Sequence, residues 1–122
     1  MSEFSKDDFY KRLYTYALNI VIFVEKIRKD SSSGVLTNQL LRSGTSVAAN
    51  IFEAKSASSK KDYINFYNHA LKSANESEFW IHLIKDAQKC DNKESEELLK
   101  ETVEIAKILA SSIITMRGKG KI

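Results

Sequence analysis

Three side chains in this sequence invite a chemical reading first: His69, His82 and Cys90. Helical bundles that hold two metal ions use a Glu-x-x-His pair on each of two helices and a glutamate from each of the other two. Neither histidine here has a glutamate three residues before it. The helical repeat places the two on nearly opposite faces of one segment. No metal site and no cofactor is therefore expected. Cys90 falls at the expected end of a helix, where the peptide dipole disfavours a thiolate. The sequence contains no G-x-S-x-G, no glycine-rich phosphate loop and no H-E-x-x-H. No catalytic residue can be named, and a non-enzymatic protein is the expectation.

A second set of residues carries polarity rather than reactivity. Gln39, Arg42, Ser46, Asn50 and Glu53 recur at intervals of 3, 4, 4 and 3, a stripe along one side of a helix. Ser73, Glu76 and Glu78 lie on the segment expected to run back against it. Such a stripe is either a solvated face with a few interhelical hydrogen bonds or a polar seam that fixes helix register or an oligomer contact.

The elements that position these residues follow from apolar spacing. Phe9, Leu13, Tyr16, Ile20, Phe23 and Ile27 are spaced 4, 3, 4, 3, 4 and predict a helix over about 7–29. Beside them Tyr10, Tyr14, Ala17, Val21 and Val24 make a second stripe. One face packs a core, so the second calls for another cover, and Tyr10, Tyr14 and Val21 are the expected oligomer face.

After the Asp30-Ser-Ser-Ser-Gly34 break, Leu40, Gly44, Val47, Ile51 and Ala54 predict a helix over about 37–54, with Thr37 as its cap. Gly44, Ser46, Ala48 and Ala49 are small enough for a neighbour to come close. Ser59 and Asp62 resemble a capping box for a third helix over about 60–89, whose face runs through Tyr63, Ala70, Ala74 and Ile81. Asp91 is expected to cap a fourth over about 93–116, through Leu98, Thr102, Ile105, Leu109, Ser112 and Met116, before a basic tail, 117–122. No segment alternates with period two. The expected architecture is all-α, a single antiparallel up-and-down four-helix bundle over 1–122.

Bulk composition agrees with that architecture. Average usage would place about six prolines in a chain this long; here there are none among 122 residues. A single cysteine excludes an internal disulfide and suggests a reduced, cytoplasmic setting. The longest apolar run, 16–24, is far short of the roughly 20 residues a membrane span needs.

The formal charge of +3 is mild, but antiparallel topology would concentrate it. One pole collects Lys6, Lys11, Arg12, Lys55, Lys60, Lys61, Arg117, Lys119 and Lys121 against Glu3, Asp7, Asp8, Glu53 and Asp62. Such a pole suits an anionic partner.

The block Leu36-Thr-Asn-Gln39-Leu40-Leu-Arg42-Ser-Gly-Thr-Ser46-Val47-Ala-Ala-Asn50-Ile51-Phe-Glu53 resembles the signature of a bacterial four-helix-bundle family. That family was first noticed as reading frames in intervening sequences of 23S rRNA genes. The resemblance continues through Ser59-Lys-Lys-Asp-Tyr63, Ala70, Ser73, Glu76 and Glu78, covering about residues 7–116. The family usually has Gly where this chain has Ala54, and often Pro where it has Ala48.

The resemblance implies an up-and-down bundle assembled as a ring-shaped homopentamer. A related, more basic branch, the accessory variability protein of diversity-generating retroelements, binds nucleic acid and a reverse transcriptase. The resulting expectation is a homo-oligomer binding RNA or a ribonucleoprotein partner, with Lys55, Lys60, Lys61, Arg117 and Lys119 on phosphates. The alternative is a protein–protein interaction scaffold without nucleic acid.

Overall fold

The computed structural model describes residues 6–30, 34–88 and 92–120. Cys90, Asp91 and Lys121 lie outside the described residues. Four helices follow one another: α1 (Lys6–Asp30), α2 (Val35–Ala54), α3 (Lys60–Gln88) and α4 (Asn92–Gly120). The chain is an all-α bundle, with α1 against α2, α2 against α3, α3 against α4 and α4 closing on α1. Neighbours run antiparallel. Lys55 at the end of α2 reaches Tyr10 at the start of α1, whereas Gly44 meets Ile20 further along. Arg12 and Lys26 of α1 pair with Glu101 and Glu94 of α4 in reversed order.

The apolar spacing becomes the core. Phe9, Leu13, Tyr16, Ile20, Phe23 and Ile27 are all buried, as are Leu40, Val47, Ile51 and Ala54 of α2. Ala70, Ala74, Ile81 and Ile84 of α3 and Leu98, Ile105, Leu109 and Ile113 of α4 complete the interior. Each large aliphatic side chain among them contributes about 1.5–3 kcal/mol relative to an exposed one.

α2 approaches its neighbours through small residues. Gly44 is buried directly against Ile20, and a Cβ there would stand 2.8 and 2.9 Å from that side chain. On the α3 side the Ser43 and Ser77 hydroxyls meet at 2.9 Å, both fully buried. Ser77 donates to the Ser73 carbonyl at 2.8 Å, so the shared bond is donated by Ser43. Of the other small residues expected at a close contact, Ser46 and Ala48 are half-buried and Ala49 is exposed.

Helix ends differ from expectation at two places. α2 starts at Val35 with Gly34 as its cap residue; Thr37 is buried in the first turn and donates to the Gly34 carbonyl at 3.2 Å. α4 continues past Met116 to Gly120, so 117–120 are helical rather than a tail. Gly118 weakens a helix by about 1 kcal/mol without breaking it. The α3 start matches its cap: the Asp62 amide donates to Ser59 Oγ at 3.0 Å, and the Asp62 carboxylate accepts from the Ser58 amide at 3.0 Å.

Candidate functional site

The start of α1, the α2–α3 turn and the end of α4 come together at one pole. α2 ends in a tight turn, with the Ser56 and Ala57 amides donating three residues back to Glu53 and Ala54 at 2.9 and 3.0 Å. That turn lays the Lys55 ammonium 4.4 Å from the Tyr10 ring and 4.8 Å from the Phe52 ring. Lys6 sits 5.4 Å from the Tyr63 ring. Lys60, Lys61 and Arg117 are exposed, and among the described residues they make no ion pair. Of the five residues expected to meet phosphate, Lys55, Lys60, Lys61 and Arg117 therefore share this pole. The Lys119 side chain lies outside the described residues.

Arg12 does not belong with these cations. Its guanidinium spans two carboxylates of α4, with Nε and Nη2 donating to Glu101 at 2.8 Å each and Nη2 to Glu104 at 3.2 Å. Those bonds raise its already high pKa further. Its charge is locally compensated, which the spacing of the sequence could not show.

Three phenols gather beneath the pole. Tyr63 and Tyr67 hydroxyls are 3.3 Å apart, their rings 5.1 Å apart and tilted by 34°. Burial pushes the Tyr67 phenol upward, with Tyr63 adding to the effect. Tyr10 shifts the same way, from burial first and then Tyr63. Deeper in the core, Thr102 donates to the Leu98 carbonyl at 2.7 Å, leaving Tyr16 to donate to Thr102 at 2.6 Å. Burial pushes Tyr16 up to about 12.

The polar stripe of α2 divides. Arg42 pairs with Glu76 of α3 and takes Gln39 at 3.0 Å, and Trp80 donates to Glu76 at 2.9 Å. Asn50 turns back on its own helix, donating to the Ser46 carbonyl at 2.9 Å. Glu53 is exposed, and Ser73 accepts from Ser77 through its carbonyl. Glu78 faces His82, 3.9 Å away. Two residues of helix turn a side chain by about 200°, so Glu76 and Glu78 cannot share a seam. Spacing missed the deepest links, Ser43–Ser77 and Tyr16–Thr102. Their signal was a hydroxyl falling in phase with the apolar face.

The expected oligomer face is uncovered in the single chain. Tyr14 is 71% exposed and Val21 36%, while Tyr10 is half-buried. Leu18 and Phe52, at 48% and 66%, extend the apolar surface beyond the stripe read from spacing. His69 and His82 are exposed, and among the described residues no group of three metal-ligating side chains forms. Among those residues no helix is long and apolar enough to cross a membrane.

These features define a class: an antiparallel four-helix bundle with a compact α2, an uncovered apolar strip and cations gathered at one pole. The chain belongs to the 23S rRNA-intervening sequence protein family, whose model matches residues 5–111. It is similar to a solved structure from Bacteroides thetaiotaomicron, described as a protein with unknown function from the S23 ribosomal protein family. That similarity has a TM-score of 0.81 and 36% identity, covering 85% of this chain and 96% of that one. No curated protein sequence matches the chain.

Proposed function

We propose that the protein is a non-enzymatic, homo-oligomeric bundle that binds RNA or a ribonucleoprotein partner through its basic pole. The observation that carries this reading is the convergence of exposed cations from three separated segments, with Lys55 from the α2–α3 turn, Lys60 and Lys61 from α3 and Arg117 from α4. Phosphate contacts of this kind need no base recognition and weaken linearly, on logarithmic axes, with salt. Family membership supports a setting close to rRNA.

The experiment is a gel shift with structured RNA between about 50 and 200 mM salt, a range over which electrostatic binding changes steeply. A complex that dissolves with salt is expected, and reversing Lys60 and Lys61 to Glu should abolish it. No retardation by any structured RNA at low salt would overturn the reading.

Assembly is the second part of the proposal. The Tyr14, Leu18 and Val21 strip supports burial against another copy, since exposed apolar residues in a contiguous strip mark contact surfaces. A homopentamer is the expected state, and light scattering giving 13.9 kDa at micromolar concentration would remove it. The same strip supports a scaffold that binds only protein; partners that survive nuclease treatment in a pull-down would favour that alternative.

A further inference from the structure

We propose that a cavity at the basic pole takes one unstacked nucleotide of a single strand, its base among the aromatic rings and its phosphate at Lys6. This rests on the nucleic-acid reading above and narrows it from any polyanion to a single-stranded one.

The cavity lies where the first turns of α1 and α3 meet the last turns of α4, and its volume is about 340 Å³. That size is at the lower end of the range that encloses small molecules. Phe9, buried, and Met116, half-buried, supply apolar lining. Tyr63 and Tyr67 form one wall, and Ser112 and Thr115 face it from α4. Lys6 is exposed at the rim.

Each part of this lining matches a part of a nucleotide. Aromatic faces stack any base, a sequence-tolerant contact. Hydroxyls both donate and accept, so they can meet base edges of either polarity. The Lys6 ammonium is a compact point charge suited to phosphate, and its long stem lets it leave the Tyr63 ring for an incoming anion.

The sign of the ligand is set by comparison with a second cavity on the α1–α4 seam. That one, about 250 Å³, is lined by Glu94, Glu97 and Glu101 together with Asn19, Ile22 and Phe23. Among the described residues its lining holds no cation, and Glu101 and Glu94 are already paired with Arg12 and Lys26. Among the described residues, the cavity at the basic pole is lined by no acidic side chain and by one lysine. Lys60, Lys61 and Arg117, exposed at the same pole, offer contacts for the phosphates on either side. A duplex cannot use the cavity, because its bases are stacked inside and reach a pocket only when splayed out.

The test is fluorescence anisotropy on the full chain with three end-labelled probes: a ten-nucleotide single-stranded RNA, the DNA of the same sequence, and a blunt RNA duplex of that length. The variants are Tyr63→Leu, Ser112→Leu, which narrows the cavity from α4, and Lys60→Gln/Lys61→Gln as the control for the pole at large. Circular dichroism confirms that each is folded.

The expected result is tighter binding of single strands than of duplex. Loss of one base-stacking contact weakens binding by about 5- to 150-fold, so Tyr63→Leu and Ser112→Leu should lose at least five-fold on single strands and nothing on duplex. The lysine pair should weaken all probes together. The RNA and DNA arms decide whether the 2′-hydroxyl contributes. Equal binding of duplex and single strands, unmoved by both cavity variants, overturns the inference and leaves the basic-pole reading standing. Absence of binding to all probes at low salt overturns both.

Discussion

α2 and the α1–α4 seam solve the same packing problem in opposite ways. α2 meets its neighbours through side chains with almost nothing on them: Gly44 lies against Ile20, and Ser43 touches Ser77. α1 and α4 stand further apart and are joined by long side chains. Arg12 reaches Glu101 and Glu104, Lys26 reaches Glu94, and Tyr16 reaches Thr102. The close contacts leave no space to spare. The bridged seam leaves an acidic cavity, and another opens at the basic pole where α1, α3 and α4 meet. In this bundle, open volume arises where backbones are held apart, and close packing where they are not.

Three experiments break or sharpen that contrast. The largest effect belongs to Gly44→Val. A Cβ at Gly44 already meets Ile20 at 2.8 Å, and two more methyl groups force α1 away from α2. Overpacking of this kind costs about 1–3 kcal/mol and occasionally more, so a loss of about 3 kcal/mol in urea unfolding is expected. A loss below about 0.5 kcal/mol, the range of an ordinary surface change, would show that α1 and α2 are not tightly apposed.

The next effect is alkaline. Tyr16 has an ordinary pKa of 10.0 when unfolded and is pushed up to about 12 by burial in the fold. Below pH 10 both states hold the proton and stability is unaffected. Between about pH 10 and 12 the unfolded chain releases it while the folded chain keeps it, so stability falls with rising pH. At about 1.4 kcal/mol per unit of pKa, the loss is on the order of 2–3 kcal/mol. Tyr10 and Tyr67, also raised, add in the same direction. Tyr16→Phe should flatten part of this decline in thermal melts taken across the alkaline range. An unchanged slope would move the effect to the pole phenols.

The smallest effect is at the bridge itself. Arg12→Gln removes a forked pair whose side chains are 30% and 33% exposed. Partly exposed pairs contribute about 0.2–1 kcal/mol, and a double-mutant cycle with Glu101→Gln should return a coupling in that range that shrinks with added salt. A coupling of 3 kcal/mol would mean that the seam is far drier than its exposure indicates.

The core phases were legible because helical burial repeats in the chain itself. The 4, 3, 4 spacing from Phe9 to Ile27 places six side chains on one line whatever surrounds them, and all six are buried. Helix ends were less legible. Thr37 looked like a cap because a threonine just after the 30–34 break suits that position, yet Gly34 takes that place. Residues 117–122 read as a basic tail, yet a glycine such as Gly118 is only a modest cost in a helix. Of the candidate site, the gathering of Lys55, Lys60, Lys61 and Arg117 followed from antiparallel order alone. The cavity did not, because it depends on how the first turns of α1 and α3 meet the last turns of α4. Nor did the pairing of Arg12, whose partners are some 90 residues away in sequence.

Antiparallel order has an electrical consequence for the basic pole. That end of the bundle presents two helix N-termini, of α1 and α3, and two C-termini, of α2 and α4. Peptide dipoles there carry about half a charge of each sign and cancel in pairs. The potential of the pole is therefore owed to its side chains alone, with no contribution locked into the backbone. Acetylation of Lys55, Lys60 and Lys61 would remove most of it without disturbing a single helix. A surface charged in this way can be switched off, whereas one built on helix dipoles cannot.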